Sequence, residues 1–196
     1  MLKLFRAAYI CSRAFSRTRT EAAHLFLGML FSTVASGQRN VHVTADGNGT
    51  FALVPNTPLP TVLRSLGMFA LLCVPAALGI LVTVSSPANR LPLMLGLVIT
   101  FLLLIWLIVG LRTMMRRSGG AALDTSGLPR GQYYVLSAVG QLPGSNSGVP
   151  ADLRSRINAL PADVTVVTYA EDEELLARYL RLGFVNDRGL RVYFRV

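Results

Sequence analysis

Cysteine is nearly missing from this chain. Only Cys11 and Cys73 occur, one in a two-faced N-terminal segment and one inside an apolar run. Their spacing suits neither a zinc site nor a disulfide framework. Histidine is as sparse: His24 and His42 stand alone, with no carboxylate cluster around either, so a metal centre has no ligand set to draw on. Charged residues make up only 15% of the chain, and the formal net charge of +9 is spread out without interleaved aromatics. That pattern does not build a nucleic-acid surface and fits contact with anionic lipid headgroups. Met1 to Thr20 has no acidic residue, yet Arg6, Arg13, Arg17 and Arg19 interrupt it before a secretory apolar core can form. A mitochondrial presequence is the minor alternative there. Leu4, Ala8, Cys11 and Phe15 recur every three or four residues opposite Arg6, Arg13 and Arg17, which predicts a helix that packs on a sheet in preference to lying on a membrane.

What the chain has in excess is apolar residue, 52% of the total, too much for an ordinary soluble domain of this length. Two runs hold the excess. Leu66–Val84 and Leu93–Leu111 contain no charge, and as a helix each would be roughly 28 Å long, close to the bilayer's hydrocarbon thickness. The second is apolar all round, leaving no face for water. The first contains Pro75, which predicts a kink, and Gly67 and Gly79, which lipid tolerates. Only Ser85–Pro92 connects the runs, so they read as a transmembrane helical hairpin with both flanks on one side. Lys3, Arg6, Arg13, Arg17, Arg19, Arg39 and Arg64 precede it and Arg112, Arg116 and Arg117 follow, against Arg90 alone in the connection. Both flanks, and both termini, are therefore expected on the cytoplasmic side of the plasma membrane.

Outside the hairpin lie two blocks that look incomplete alone. The first (1–61) begins with the two-faced helix and a second over Glu21–Val34. It ends in strands Val41–Ala45 and Thr50–Val54, joined by Asp46-Gly-Asn-Gly49, a turn that favours positive φ at its glycines. The hairpin occupies 62–112 and a linker 113–131. The second block (132–196) opens with a strand from Gln132 to Val139 and continues into a helix from about Pro150 whose inner face is Leu153, Ile157 and Leu160. Val164–Tyr169 is a β-branched strand. The next helix has Glu171, Asp172, Glu173 and Glu174 crowding its first turn, Arg178 and Arg181 in its last, a Glu174–Arg178 pair, and Gly183 as its stop. Asn186-Asp-Arg-Gly189 then leads to a half-buried strand with Leu190, Val192, Phe194 and Val196 inward and Arg191, Tyr193 and Arg195 outward.

This order, α/β with a mixed sheet, resembles the GNAT N-acetyltransferase superfamily interrupted by a transmembrane hairpin. Tyr179-Leu-Arg-Leu-Gly-Phe184 is similar to that family's Tyr-x-x-x-Gly-Phe close. Tyr134-Val-Leu-Ser-Ala-Val-Gly140 with Pro143 is similar to its central strand, and Ala14-Phe15 with the Asp-Gly-Asn-Gly hairpin fits its N-terminal half. The resemblance implies a splayed sheet holding acyl-CoA in a V-shaped opening, pantetheine along the central strand and pyrophosphate at a helix start. It implies Tyr179 as the general acid and Val139, Gly140, Gln141, Ser145, Asn146, Ser147, Gly148, Val149 and Asp172 as residues binding acetyl-CoA, with no metal. Of the family's Gln/Arg-x-x-Gly-x-Gly/Ala cradle only Gly148 agrees. Ser145 replaces its first residue, and Pro150 replaces its last and removes an N–H. No carboxylate lies between Gln132 and Leu142 to serve as general base.

The implied function is transfer of an acetyl group to an amine acceptor at the cytoplasmic membrane face. Two other classes stay open: a catalytically inactive GNAT-like interaction module, and a small channel-like hairpin, which leaves the patterned C-terminal block unused.

Overall fold

The computed structural model describes residues 1–85, 90–117, 132–146 and 148–196, which form seven helices and one mixed six-stranded sheet. Ser147, most of the expected linker (118–131) and residues 86–89 of the hairpin connection lie outside the described residues. Helix α1 (Leu2–Ala14) buries the expected face, Leu4, Ala8 and Cys11, against the sheet and its neighbouring helix. Helix α2 (Arg19–Ser36) starts earlier than its apolar pattern suggests because it is capped. Thr18 Oγ1 accepts from the Glu21 N–H at 3.1 Å, and Glu21 Oε2 accepts from the Arg17 N–H at 2.7 Å. The first bond satisfies a donor that a helix start leaves orphaned, and the second ties the residue before the cap to the first turn.

Strands β1 (Val41–Val43) and β2 (Gly49–Pro55) pair antiparallel around the Asp46 turn. Asp46 Oδ1 accepts from the Thr44 hydroxyl and the Asn48 N–H. Gly47 takes the positive φ (+69°) that the turn needs, while Gly49 already belongs to the strand.

After β2 the chain leaves the sheet. The first apolar run is not one helix: α3 (Pro58–Leu72) and α4 (Val74–Ser85) meet at Cys73 with a 44° bend. Pro75 accounts for the position of the break, since its ring crowds the carbonyl of Leu71 four residues back and it has no N–H to bond there. The orphaned N–H of Ala76 donates instead to Thr100 Oγ1 of α5 (Leu91–Arg117) at 3.1 Å. Within α5, Leu91–Thr113 is long and apolar enough to cross a membrane, and the bent α3–α4 pair passes the same test only when taken as one span. Helices α4 and α5 lie antiparallel, so close at Gly79 against Pro92 and at Gly96 against Pro75 that neither site has room for a Cβ. The C-terminal part of α5 packs on α2, Gly28 against Gly110, and Trp106 Nε1 donates to the Ala23 carbonyl at 3.0 Å.

Re-entry completes the sheet. Strand β3 (Tyr133–Gln141) pairs antiparallel with β2, from Gly49 opposite Gln141 to Pro55 opposite Tyr134. Helix α6 (Val149–Asn158), β4 (Thr165–Tyr169), α7 (Glu173–Arg181), β5 (Val185–Arg188) and β6 (Arg191–Arg195) follow, and the strand order is β1-β2-β3-β4-β6-β5. Only β3 and β4 are parallel among the described pairs. Leu4 and Ala7 of α1 cover Val41 and Ala52 on one face. On the other, Leu153 and Ile157 of α6 and Tyr179 of α7 meet Phe51, Leu53, Leu136, Val166 and Val192.

The last hairpin corrects the sequence reading. Asn186-Asp-Arg is strand, not loop, and Arg191, expected to face outward, is buried at 2% exposure. Asn186 pairs with Val192 and Arg188 with Arg191, so Asp187 bulges out of register and its carboxylate binds the Arg191 guanidinium. Helix α7 likewise begins at Glu173, so Glu171 and Asp172 precede it.

The α2–α5 contact gives a direct test. Gly28→Leu places a side chain where even a Cβ lies 2.8 Å from the Gly110 carbonyl carbon, and is expected to cost about 1–3 kcal/mol. Gly67→Leu, at a site with nothing within 4 Å, is expected to leave the thermal unfolding temperature in detergent unchanged.

Candidate functional site

Strands β3 and β4 run together for three residue pairs, Tyr133–Thr165 to Val135–Val167, and then part. At the parting β3 bulges: Ala138 and Val139 both lie opposite Phe51, and Ala138 adopts φ +51°. The extra residue reverses the alternation, so Ala138 joins the α1 side of the sheet while Val139 packs into the α6–α7 core. Cys11 Sγ donates to the Ala138 carbonyl at 3.3 Å. Burial pushes that thiol up to about 12, and it acts as a small apolar group with a weak donor.

Beyond the bulge the chain turns toward α6. Gly140 is there for packing: a Cβ on it would stand 3.2 Å from the Ala14 Cβ, so its bareness lets α1 close on the sheet. Leu142–Ser145 forms a tight turn with Gly144 at φ +77°. Ser145 gives both its N–H and its hydroxyl to the Leu142 carbonyl, and its own carbonyl accepts from the Gln141 side chain. Asn146 and Gly148 are exposed, and Gly148 caps α6 with no side-chain hydrogen bond. Pro150 follows in the first turn without an N–H, leaving the N–H groups of Val149 and Ala151 as the early donors of the helix.

Tyr179 lies deeper, on the buried side of α7. It is 3% exposed and packed among Phe51, Leu136, Val149 and Phe184, with Thr168 of β4, just past the parting of the strands, beside its hydroxyl. Burial pushes its pKa up to about 12, partly offset by Thr168. The end of α7 explains why tyrosine, glycine and phenylalanine stand at this spacing. The Phe184 N–H bonds the Tyr179 carbonyl at 3.1 Å, the Gly183 N–H bonds the Leu180 carbonyl at 3.0 Å, and Gly183 has φ +94°. These are the paired bonds of a Schellman cap, completed by apolar contact of its flanking residues, here the rings of Tyr179 and Phe184 at 5.4 Å.

Of the residues expected at a site, Val139, Val149 and Tyr179 come together in one apolar cluster. Asp172 does not join them: its carboxylate caps α7 by accepting from the Leu175 N–H at 2.7 Å. Phe51 belongs to the same cluster and Thr168 lies beside the Tyr179 hydroxyl; neither was singled out from sequence. The bulge left one trace there, since the two core residues Leu136 and Val139 stand three apart where strict alternation needs an even number. His42, expected as an isolated residue, stacks on Phe51 with ring centroids 5.1 Å apart. Burial and then the positive charges of Arg156 and Lys3 push its pKa down to about 4. Comparisons with protein-family models, curated proteins and solved structures find no match for this chain.

The contributions of the Tyr179 ring and hydroxyl are separable. Tyr179→Phe keeps the ring contact and loses the hydroxyl beside Thr168, an expected cost of about 1 kcal/mol. Tyr179→Ala empties the cap and the core together, an expected cost of about 3–5 kcal/mol, both read by chemical denaturation.

Proposed function

We propose that the chain is a membrane-anchored N-acyltransferase of GNAT-like fold, transferring an acetyl group from acetyl-CoA to an amine at the cytoplasmic face of the membrane. The observation that carries this reading is the parting of β3 from β4 beside a bulge, with the Tyr179 hydroxyl at Thr168 next to the gap. A strand that loses its partner exposes a row of backbone donors and acceptors, the kind of edge along which an extended amide chain can pair. The N–H groups of Val149 and Ala151 stand ready for an anion at the far end of the same loop. The apolar bulk of Leu91–Thr113 and of the bent α3–α4 pair supports membrane attachment, and the arginines flanking them support the cytoplasmic side.

In this reading the amine nitrogen attacks the thioester carbonyl carbon, the carbon–sulfur bond breaks, and the proton lost by nitrogen passes through water to the departing sulfur. Tyr179 steadies that sulfur. With its pKa pushed up to about 12, against about 8.5 for an ordinary thiol, the phenol keeps its proton and acts as a hydrogen-bond donor to the thiolate instead of protonating it outright.

A second reading, a catalytically inactive relative serving as an interaction module, rests on the same residues. Tyr179 is buried and fully employed by its cap, Ser145 spends its donors on its own turn, and Pro150 removes one N–H from the helix start. Calorimetric titration of the detergent-solubilised chain separates the two. Saturable acetyl-CoA binding is expected, with Tyr179→Phe slowing acetyl transfer about 100-fold while binding persists. Lack of saturable binding favours the module.

A further inference from the structure

At the end of β3 away from the parting, a cleft of about 750 Å³ opens between the start of α1, the α2–β1 connection, the end of β2 and the start of α3. Lys3, Arg39 and Arg64 line it, together with Gln38 and Asn40. Among the described residues the three cations have only neutral partners or none. Arg64 donates to the carbonyls of Ala35 and Ser36 at 3.4 and 3.2 Å, and Lys3 Nζ to the Gln38 carbonyl at 3.4 Å. Among the described residues no carboxylate pairs with any of the three. The composition of the chain explains this lack. Up to Arg117 there are eleven Lys and Arg but only two carboxylates, Glu21 and Asp46, whereas the remainder holds eight of each sign. Glu21 is committed to the α2 cap and Asp46 to its turn.

Three like charges around one opening repel each other, and an anion seated between them relieves that repulsion. Two guanidinium groups and an ammonium suit the oxygens of a phosphate, which can accept from each at once. What lies beside the cleft selects the source of the phosphate. Helix α3, which contributes Arg64, turns Leu59, Leu63 and Leu66 outward at 67%, 59% and 60% exposure. Their four- and three-residue spacing makes one apolar stripe starting at the rim, a surface that acyl chains can cover. We propose that this cleft binds the phosphate of an anionic phospholipid headgroup, with the acyl chains lying along the α3 stripe. The proposal rests on the membrane attachment argued above and is independent of acyl transfer.

Native mass spectrometry of the full chain in neutral detergent, offered phosphatidic acid or phosphatidylcholine, tests it, with inorganic phosphate added separately in thermal unfolding. Retention of phosphatidic acid but not phosphatidylcholine is expected. Lys3→Glu combined with Arg39→Glu is expected to weaken that retention about tenfold or more while leaving the unfolding temperature of the lipid-free protein unchanged. Equal retention by the double variant, or of both lipids, overturns the proposal. Stabilisation by inorganic phosphate without retention of phosphatidic acid overturns the lipid source and assigns the cleft to free phosphate.

Discussion

Everything in this structure depends on the antiparallel ladder between β2 and β3. The two strands are neighbours in the sheet but are separated in the chain by the three apolar helices α3, α4 and α5. Without that ladder the N-terminal half would be two helices and a two-stranded hairpin, which is marginal alone in water. The C-terminal half would expose the whole β2-facing edge of β3. Joined, they bury Phe51 and Leu53 of one half against Leu136, Leu153 and Val166 of the other in a single core.

The ladder also shapes the candidate site. Because Phe51 faces two residues of β3, the bulge is a property of the β2–β3 pairing, and it reverses side-chain alternation where β3 leaves β4. One irregularity thus sends Ala138 toward α1 and Val139 toward Tyr179. On the opposite side of the molecule α2 is held between α1 and the returning end of α5, with Gly28 and Gly110 setting the distance of approach. The sheet and the apolar helices are therefore mechanically joined, and the proposed acyl-transfer site sits on a support that extends into the proposed membrane anchor.

Local chemistry was readable from the residues themselves. The face of α1, the Asp46 turn, the Glu174–Arg178 pair at 2.6 Å and the stop at Gly183 all follow from rules acting within a few residues. Features set by partners distant in sequence were not readable. Burial of Arg191 depends on a register shift that turns Asp187 toward it, and the cleft gathers Lys3, Arg39 and Arg64 from three separate elements. The break at Cys73 falls between these cases. Pro75 announces a bend, but the separation into two helices also needs Thr100 on the facing helix to satisfy the Ala76 N–H. The Tyr179-to-Phe184 motif carries its own lesson, since the resemblance reads it as a catalytic signature while the backbone bonds account for the same three residues as a helix cap.

Cross-strand linkage tests the central claim most directly. In a Cys11→Ser, Cys73→Ser background, Val54→Cys with Val135→Cys places two thiols at directly opposed positions of the β2–β3 ladder. Mild oxidation of the purified full chain is predicted to join them rapidly within one chain, while Val54→Cys with Leu142→Cys stays reduced. Failure of the first pair to link, or equal linking of both, would contradict a sheet completed across the apolar insertion.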